Sequence, residues 1–258
     1  MYGKQGGVCL SVMKSMLCLV AVLCTSPAVT QEHTGTIHAD SATIARVSGK
    51  LMIGNKGFAP IPAFSFNSPL VIGFLSIKKK RFSYEPDFSL GLNGKPWMAN
   101  NWFRLTFIDS KKVAINAGIN PSLFFKTEEY TAGKNTLHAL RNLTTELSAR
   151  YQLCSQGYLQ VTYLHIHTFD EGALPGNFFD LVGSYSVAGI APAISLVLKP
   201  EIFYFDFEGN VDGLFSAIHA SIEHCTLPFS IYFQGVMPVW TRFTGNSFKW
   251  NTGLVFIF

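Results

Sequence analysis

The sequence predicts an all-β protein, built as an antiparallel up-and-down transmembrane β-barrel of about 12 strands, within a range of about 10 to 14. Three observations lead to this prediction. Apolar and polar residues alternate with a period of two through most of the chain after residue 43. The chain is rich in apolar residues but has no apolar run long enough for a membrane helix. Its predicted connections alternate between tight turns and longer loops.

The composition narrows the class of protein. The chain is 48% hydrophobic and 14% aromatic, with 23 Phe, and only 14% of its residues are charged. A soluble domain carries roughly 25% charged residues. After Ala28 no stretch approaches the roughly 18 apolar residues of a membrane helix. Either a soluble all-β fold with a large core or a barrel with an apolar face in lipid explains this composition.

Charge and cysteine content exclude several other classes. The formal net charge of +4 is mild and spread along the chain, so we expect no nucleic-acid partner. Cys9, Cys18 and Cys24 fall in the first 28 residues, which leaves Cys154 and Cys225. Two cysteines are too few for a disulfide framework or a zinc site. We therefore predict no metal and no cofactor, and two unpaired cysteines in strands.

The N-terminal residues predict export. Lys4 and Lys14 provide a basic start, and the apolar run Ser15–Cys24 is too short to span a membrane as a helix. Small residues before Ala28 place the expected cleavage after that residue. The predicted division of the chain is a signal peptide at 1–28, a polar lead-in at 29–43 and the barrel at 44–258.

The predicted strands follow one another with short interruptions. The clearest alternation covers 142–152, where every second side chain is polar. Residues 70–77 are apolar on both faces, and in 193–207 the apolar face switches after Pro200, which predicts a bulge at Lys199–Pro200. The predicted strands are 44–53, 67–77, 82–93, 99–109, 111–123, 136–154, 156–168, 178–189, 193–207, 213–225, 228–238 and 247–258.

The connections between these strands alternate in length. The tight ones are 78–81, 110, 155, 190–192 and 226–227. The longer ones are 54–66, 94–98, 124–135, 169–177, 208–212 and 239–246. Tight turns at one end and longer loops at the other are typical of up-and-down membrane barrels. A soluble sandwich has no reason to alternate its loop lengths in this way.

The last eight residues, together with the export segment, the loop lengths and the aromatic excess, favour lipid over a soluble core around the apolar faces. They read Asn251-Thr252-Gly253-Leu254-Val255-Phe256-Ile257-Phe258, an alternating aromatic strand. This pattern resembles the C-terminal assembly signal of bacterial outer-membrane β-barrels. The resemblance implies that Asn251, Gly253, Phe256 and Phe258 form a signal read by the barrel-assembly machinery. It further implies location in the outer membrane, contact with outer-membrane lipid, and a last strand that pairs with the first.

In such a barrel the polar faces line the lumen, and aromatic residues near strand ends suit the membrane interfaces. The predicted interface aromatics are Trp97, Trp102, Tyr130, Tyr151, Tyr163, Trp240 and Trp250. The predicted lumen-lining residues are Glu85, Asp87, Arg104, Lys112, Asn116, Asn142, Thr144, Glu146, Ser148, Arg150, Gln152, His165, His167, His219, Ser221, Glu223, Lys249 and Asn251. With no catalytic motif among them, we expect a porin-like channel for small solutes and no enzymatic activity.

Two alternatives remain open at the level of sequence. His219, Ser221 and Glu223 share one strand face, as a base, a nucleophile and an acid do in a hydrolase. This His-x-Ser pair resembles that of outer-membrane lipid A deacylases, although Ile222 stands where their motif has Asn. A lipid hydrolase is therefore one alternative, and a closed structural or binding barrel is the other.

Overall fold

The computed structural model describes residues 44–57, 65–131, 134–171, 173–191, 193–208, 211–242 and 247–258. These residues form twelve strands: β1 (Arg46–Gly54), β2 (Leu70–Lys79), β3 (Phe82–Gly91), β4 (Pro96–Asp109), β5 (Val113–Thr131), β6 (Lys134–Cys154), β7 (Gly157–Thr168), β8 (Gly176–Ala191), β9 (Ile194–Phe207), β10 (Val211–His224), β11 (Phe229–Thr241) and β12 (Lys249–Ile257). The predicted signal peptide and lead-in lie outside the described residues.

Every strand pairs antiparallel with its neighbours in the chain, and β1 pairs with β12. The predicted up-and-down antiparallel barrel of 12 strands is therefore confirmed. Among the described residues, no helix is long and apolar enough to cross a membrane. We call the end of the barrel that holds connections 80–81, 110–112, 155–156, 192–193 and 225–228 the turn end, and the opposite end the loop end.

One predicted loop is wrong. Residues 124–135 belong largely to strands, because β5 and β6 stay paired as far as Thr131 and Lys134. These strands are 19 and 21 residues long. The polar run after Phe125 is typical of a loop. A hairpin that extends beyond the apolar band of the outer face meets water on both faces, and polar residues are therefore compatible with strands there. Connections 92–95 and 208–210 are also short, so loop length does not alternate throughout.

The predicted bulge at Lys199–Pro200 is also wrong. From Ile194 to Phe207, β9 pairs with β10 in one continuous register. The facing parity therefore does not change, and Phe203, Phe205 and Phe207 point into the lumen on the same side as Lys199. The switch in polarity along β9 marks a change in the lumen itself, from charged to apolar.

The outer face of the barrel is apolar. Cross-strand partners share a face, and the pairs Ile53–Leu254, Leu254–Ile231 and Ile231–Ile222 join exposed apolar residues around the closing strands. Among the predicted interface aromatics, Tyr151, Tyr163, Trp240 and Trp250 lie on this face, as their pairing with outward residues shows.

Two of the predicted interface tryptophans face the lumen instead. Trp102 pairs with Glu85 and lies beneath the Arg104 guanidinium, 4.2 Å from it. Trp97 is 2% exposed, because a register shift in the β3–β4 ladder turns it inward beside Met98. The Tyr130 side chain lies outside the described residues.

Phe258 stabilises the contact between β1 and β12 that closes the barrel. Gly49 and Phe258 exchange two backbone hydrogen bonds, with N···O distances of 2.8 and 3.0 Å. The Phe258 ring covers Gly49, where a Cβ would collide with it. An aromatic ring over a strand glycine restores the packing that the glycine lacks. Phe256 packs against Phe229 on the outer face, with ring centroids 4.9 Å apart.

We predict that Phe258→Asp lowers the yield of folded barrel, because a carboxylate replaces the ring over Gly49 in the apolar outer face. Phe258→Leu, which keeps an apolar cover, should assemble nearly normally. Heat-modifiable migration on a gel measures the folded fraction in membranes. A folded fraction of Phe258→Asp equal to that of the wild type would show that the terminal ring has no part in assembly.

Candidate functional site

The barrel lumen changes character along its axis. Toward the turn end the lumen-facing side chains are mostly charged or amide-bearing, and toward the loop end they are mostly apolar. The paired rows show this division within single strands: β9 passes from Lys199 and Glu201 to Phe203 and Phe205, and β4 passes from Arg104 to Met98. We call the two parts the charged half and the apolar half.

Arg104 is the centre of the charged half. Its guanidinium donates to both oxygens of Glu146, with Nη2–Oε2 at 2.7 Å, Nε–Oε2 at 3.0 Å and Nε–Oε1 at 3.2 Å. The third nitrogen, Nη1, bonds the carboxylate of Glu85. The side chain also lies over Trp102. Arg104 therefore links β3, β4 and β6 across the inner wall.

Gly118 makes this link possible. Arg104 and Glu146 lie on strands separated by β5, and Gly118 is the β5 residue paired with both. A Cβ on Gly118 would lie 3.0 Å from the Arg104 Cγ and 3.6 Å from the Glu146 Cβ. Because the position between them has no side chain, the guanidinium lies across it and reaches the carboxylate.

Amide and hydroxyl groups extend this network along the wall. Asn100 donates to Asp87 at 2.9 Å and accepts from the Asn120 amide at 3.1 Å. Thr106 donates to Asn116 at 2.8 Å, and Ser148 donates to Glu146 at 3.2 Å. The polar wall is thus cross-linked by side chains as well as by its backbone ladder.

Two other cations stand over aromatic rings. Lys50 lies 4.2 Å from the centroid of Phe74, and the Arg150 guanidinium lies 4.3 Å from that of Tyr158. Arg150 also donates to Gln160, at 2.8 and 3.0 Å. Such cation–π contacts hold the charges against the wall. This arrangement leaves cations and acids interspersed around the charged half.

On β10, His219, Ser221 and Glu223 face the lumen, but they do not form the hydrogen-bonded arrangement of a hydrolase. The His219 imidazole contacts Glu201 at 2.7 Å. Ser221 donates its hydroxyl proton to Glu223 at 3.1 Å. No hydrogen bond joins His219 to Ser221 among these described contacts, and a serine nucleophile requires a base as its partner. The geometry does not activate Ser221.

Most of the predicted lumen residues face inward in the structure. The register places inward Glu85, Asp87, Arg104, Asn116, Asn142, Thr144, Glu146, Ser148, Arg150, Gln152, His219, Ser221, Glu223, Lys249 and Asn251. Asn251 is buried there and donates to the Tyr232 hydroxyl at 3.2 Å. Lys112 lies in the exposed turn before β5 rather than in a strand.

The prediction for His165 and His167 is wrong. His165 pairs with Thr145, and the adjacent pair Glu146–Leu164 faces inward, so the two histidines lie on the outer face. His165 contacts the Asn177 amide oxygen at 3.1 Å, and His167 packs edge-on against Phe169. Leu164 and Ile166 fill the lumen side instead. The lumen is apolar at this level, and polarity therefore does not indicate which residues face inward.

Two aromatic clusters line the apolar half, and sequence reasoning missed both. The phenylalanine cluster consists of Phe203, Phe205, Phe207, Phe215, Ala217 and Val236. Phe203 and Phe215 stack nearly parallel, 5.2 Å between centroids and 7° between planes. The tryptophan cluster consists of Leu70, Ile72 and Trp97, with Met52, Phe66, Phe74, Met98 and Phe124 packed against it. The phenylalanine cluster could have been found from β9, where the apolar residues change from even to odd positions after Pro200.

Two cavities lie within the wall of the lumen. The charged cavity, about 510 Å³, is lined by groups that include Lys50, Asp87 and Arg104. The apolar cavity, about 290 Å³, lies between the two aromatic clusters. Its lining is Met98, Asn100, Asn120, Ser122, Leu123, Phe124, Leu140, Asn142, Thr144, Leu164, Ile166, Ala173, Leu174, Phe178 and Phe207.

An exposed ion pair fixes the loop that supplies Leu174 to this lining. Arg141 on β6 and Asp170 in the β7–β8 loop are joined by an Nη2–Oδ1 contact of 2.6 Å. Asp170 also accepts the backbone N–H of Arg141 at 2.6 Å. The side-chain hydrogen bond from Arg141, followed by the backbone one, holds the pKa of Asp170 below its ordinary value.

Comparison with known proteins identifies the fold. No family model and no curated protein matches the sequence. Among solved structures, the chain resembles the KdgM porin, with a TM-score of 0.54 and 8% identity over 81% of this chain and 98% of the porin. It also resembles the COG4313 outer membrane channel from Pseudomonas putida F1, with a TM-score of 0.50 and 12% identity over 86% and 98% of the two chains. The chain has the fold of a bacterial outer-membrane β-barrel.

We predict that Arg104→Met destabilises the folded barrel by about 1–3 kcal/mol, because it leaves the Glu146 carboxylate without its cation. The Glu146 side chain is only 8% exposed, so water replaces the lost bonds poorly. The free energy of unfolding in urea, followed by tryptophan fluorescence, measures the change.

Arg150→Met is the matched control, since Arg150 is exposed and bonds a neutral amide. The double variant Arg104→Met with Glu146→Gln should regain much of the loss. A loss no larger in Arg104→Met than in Arg150→Met would contradict the central role of Arg104.

Proposed function

We propose that this chain is an outer-membrane channel for small solutes, with a narrow and selective path rather than a wide pore. The observation that carries the proposal is a closed barrel with an apolar outer face and a lumen wall of charged groups organised around Arg104. Residues 1–28 would direct export, and the last strand would be read by the barrel-assembly machinery, as its resemblance to the assembly signal implies. The loop end would then face the outside of the cell.

The lumen charges bear on the class of solute. One of the similar structures is the KdgM porin in complex with disordered oligogalacturonate. In the present lumen Arg104 is bound by two carboxylates, and Asp87, Glu201 and Glu223 add further negative charge. Cations and acids are mixed here. We therefore propose small neutral or zwitterionic solutes rather than polyanions.

The phenylalanine cluster supports a narrow path. Phe203 and Phe205 are 2% and 0% exposed inside the lumen, so packed rings occupy one side of the apolar half. Small barrels are filled largely by their own side chains. We propose that this cluster forms the constriction and that the charged half beneath it sets selectivity.

We predict that the double variant Phe203→Ala and Phe215→Ala raises single-channel conductance in planar bilayers above the small wild-type value, because it removes two stacked rings from the lumen. Phe233→Ala is the matched control, since Phe233 lies on the outer face and is 40% exposed. We expect its conductance to match that of the wild type.

One result would contradict the channel, and another would contradict only the phenylalanine constriction. One is the absence of conductance steps from correctly folded wild type and from the double variant alike. The other is equal conductance in all three proteins, which would place the constriction elsewhere. Folding is checked in each case by heat-modifiable migration.

A further inference from the structure

The apolar cavity is unusual for a channel lumen in the chemistry of its lining. Its walls are mainly the side chains of Leu, Ile, Met and Phe contributed by β4 to β9. Ligand sites typically occupy about 300–1,000 Å³, and an apolar cavity of about 150 Å³ already holds benzene. At about 290 Å³ the cavity is large enough for a molecule with one or two fused rings.

The polar groups of the cavity lie on β4 to β6 and are Asn100, Asn120, Ser122, Asn142 and Thr144. The Asn120 amide donates to Asn100, and the Asn100 amide donates to Asp87. Within the part of the chain that the structure describes, the Asn142 side chain makes one long bond of 3.5 Å, from its amide to the Leu140 carbonyl. With Thr144 next to it on the lumen face, Asn142 is the polar group best placed to bond a ligand. One polar group of a ligand would form a hydrogen bond with Asn142, and the rest of the ligand surface would contact apolar side chains.

The barrel wall beside this cavity has an interrupted backbone ladder. Between β4 and β5, the pair Asn100–Ser122 is followed next by Phe103–Ile119, with no backbone pair described between them. Pro121 lies in this gap and has no N–H to donate. The Asn101 N–H bonds the Asn120 side-chain oxygen at 2.7 Å, and the Asn101 amide reaches the Pro121 carbonyl at 3.4 Å. Hydrogen bonds made by the Asn101 and Asn120 side chains therefore replace the missing backbone pairs between β4 and β5.

A third cavity, which we call the outer cavity, adjoins the same gap from the outer face. It measures about 630 Å³ and is lined by outward Asn101, Pro121 and Arg141 together with Phe169. The outer and inner cavities share Ser122, Leu123 and Asn142. The interior apolar cavity and the outer surface are thus separated at this point only by the part of the wall with an interrupted ladder. We call this part the β4–β5 seam.

We propose that the apolar cavity binds a small, largely apolar molecule with one hydrogen-bonding group, and that this molecule leaves sideways through the β4–β5 seam into the membrane. The inference rests on the proposed channel function and names its substrate class. Transfer of an apolar molecule into the charged half, which holds Arg104 and Glu146, is not favourable in free energy. Its transfer into lipid is favourable. The seam is the exit that this chemistry favours.

A second interrupted ladder provides an internal comparison. Between β2 and β3 the pairs Phe74–Asp87 and Ile77–Tyr84 flank a gap that contains Pro86. The lumen side of that gap is the charged cavity, with Glu85 and Arg104. It shares the backbone defect but not the apolar cavity, and we expect no apolar molecule to pass there.

Binding is tested with 2-naphthol, a fluorescent molecule with two fused rings and one hydroxyl, added to the barrel in lipid nanodiscs. Energy transfer from tryptophan should rise and saturate. Leu164→Trp fills the cavity and should abolish the saturable signal, whereas Leu147→Trp, on the outer face with 55% exposure, should not. Non-saturating binding, or equal binding in both variants, would overturn the site.

The role of Asn142 is tested by comparing 2-naphthol with naphthalene. Wild type should prefer the hydroxylated ligand by about fivefold, the value of one hydrogen bond. Asn142→Leu should remove that preference and keep binding of the hydrocarbon. An unchanged preference would overturn the assignment of Asn142 as the polar partner.

The seam is tested with Pro121→Val, which restores a backbone N–H. Release of bound 2-naphthol to excess vesicles, followed by stopped-flow fluorescence, should slow in Pro121→Val and keep its wild-type rate in Pro86→Val. Equal rates in the two variants would overturn the sideways exit. Neither assay measures current. A failed binding test leaves the channel proposal standing, whereas absent conductance with intact binding would reject the channel and leave the cavity as a binding site without a transport role.

Discussion

Closure of β1 onto β12 is the constraint on which the rest of the structure depends. In lipid, each unpaired backbone N–H or C=O costs several kcal/mol, so a membrane sheet has no free edge. The bonds between Gly49 and Phe258 complete the ladder at the turn end. Once the cylinder is closed, every strand has one face toward lipid and one toward the lumen. At Pro86 and Pro121 the backbone pairing is interrupted, and these interruptions are confined to short stretches of the closed wall.

The lumen wall is stabilised differently in its two halves. In the charged half, Arg104 holds carboxylates from β3 and β6, and Gly118 leaves room for that contact. In the apolar half, rings such as Phe203 and Phe215 stack as in the core of a soluble protein. A solute that crosses the barrel would meet an apolar constriction and then a mixed-charge wall, and an apolar solute would be held at the boundary between them.

Sequence reasoning predicted the strands best where inner and outer faces differ in polarity. Along β6, Glu146, Ser148 and Arg150 alternate with apolar residues, and the structure places them inward. The same rule was wrong for His165 on β7 and for the bulge on β9. In the apolar half, both faces of a strand carry apolar residues, so polarity no longer indicates facing. The contact between Arg104 and Glu146 depends on the register across β5, which no local pattern contains.

Water access to the lumen tests the account most directly. Ser221 and Ile222 are adjacent on β10 and face the lumen and the outer side, respectively. Each is changed to Cys in a background with Cys154 and Cys225 replaced by Ser, in proteoliposomes with the loop end outward. A small charged thiol reagent added outside should modify Ser221→Cys and leave Ile222→Cys unmodified. If Ser221→Cys stays unreactive until detergent dissolves the membrane, the lumen holds no path from the loop end.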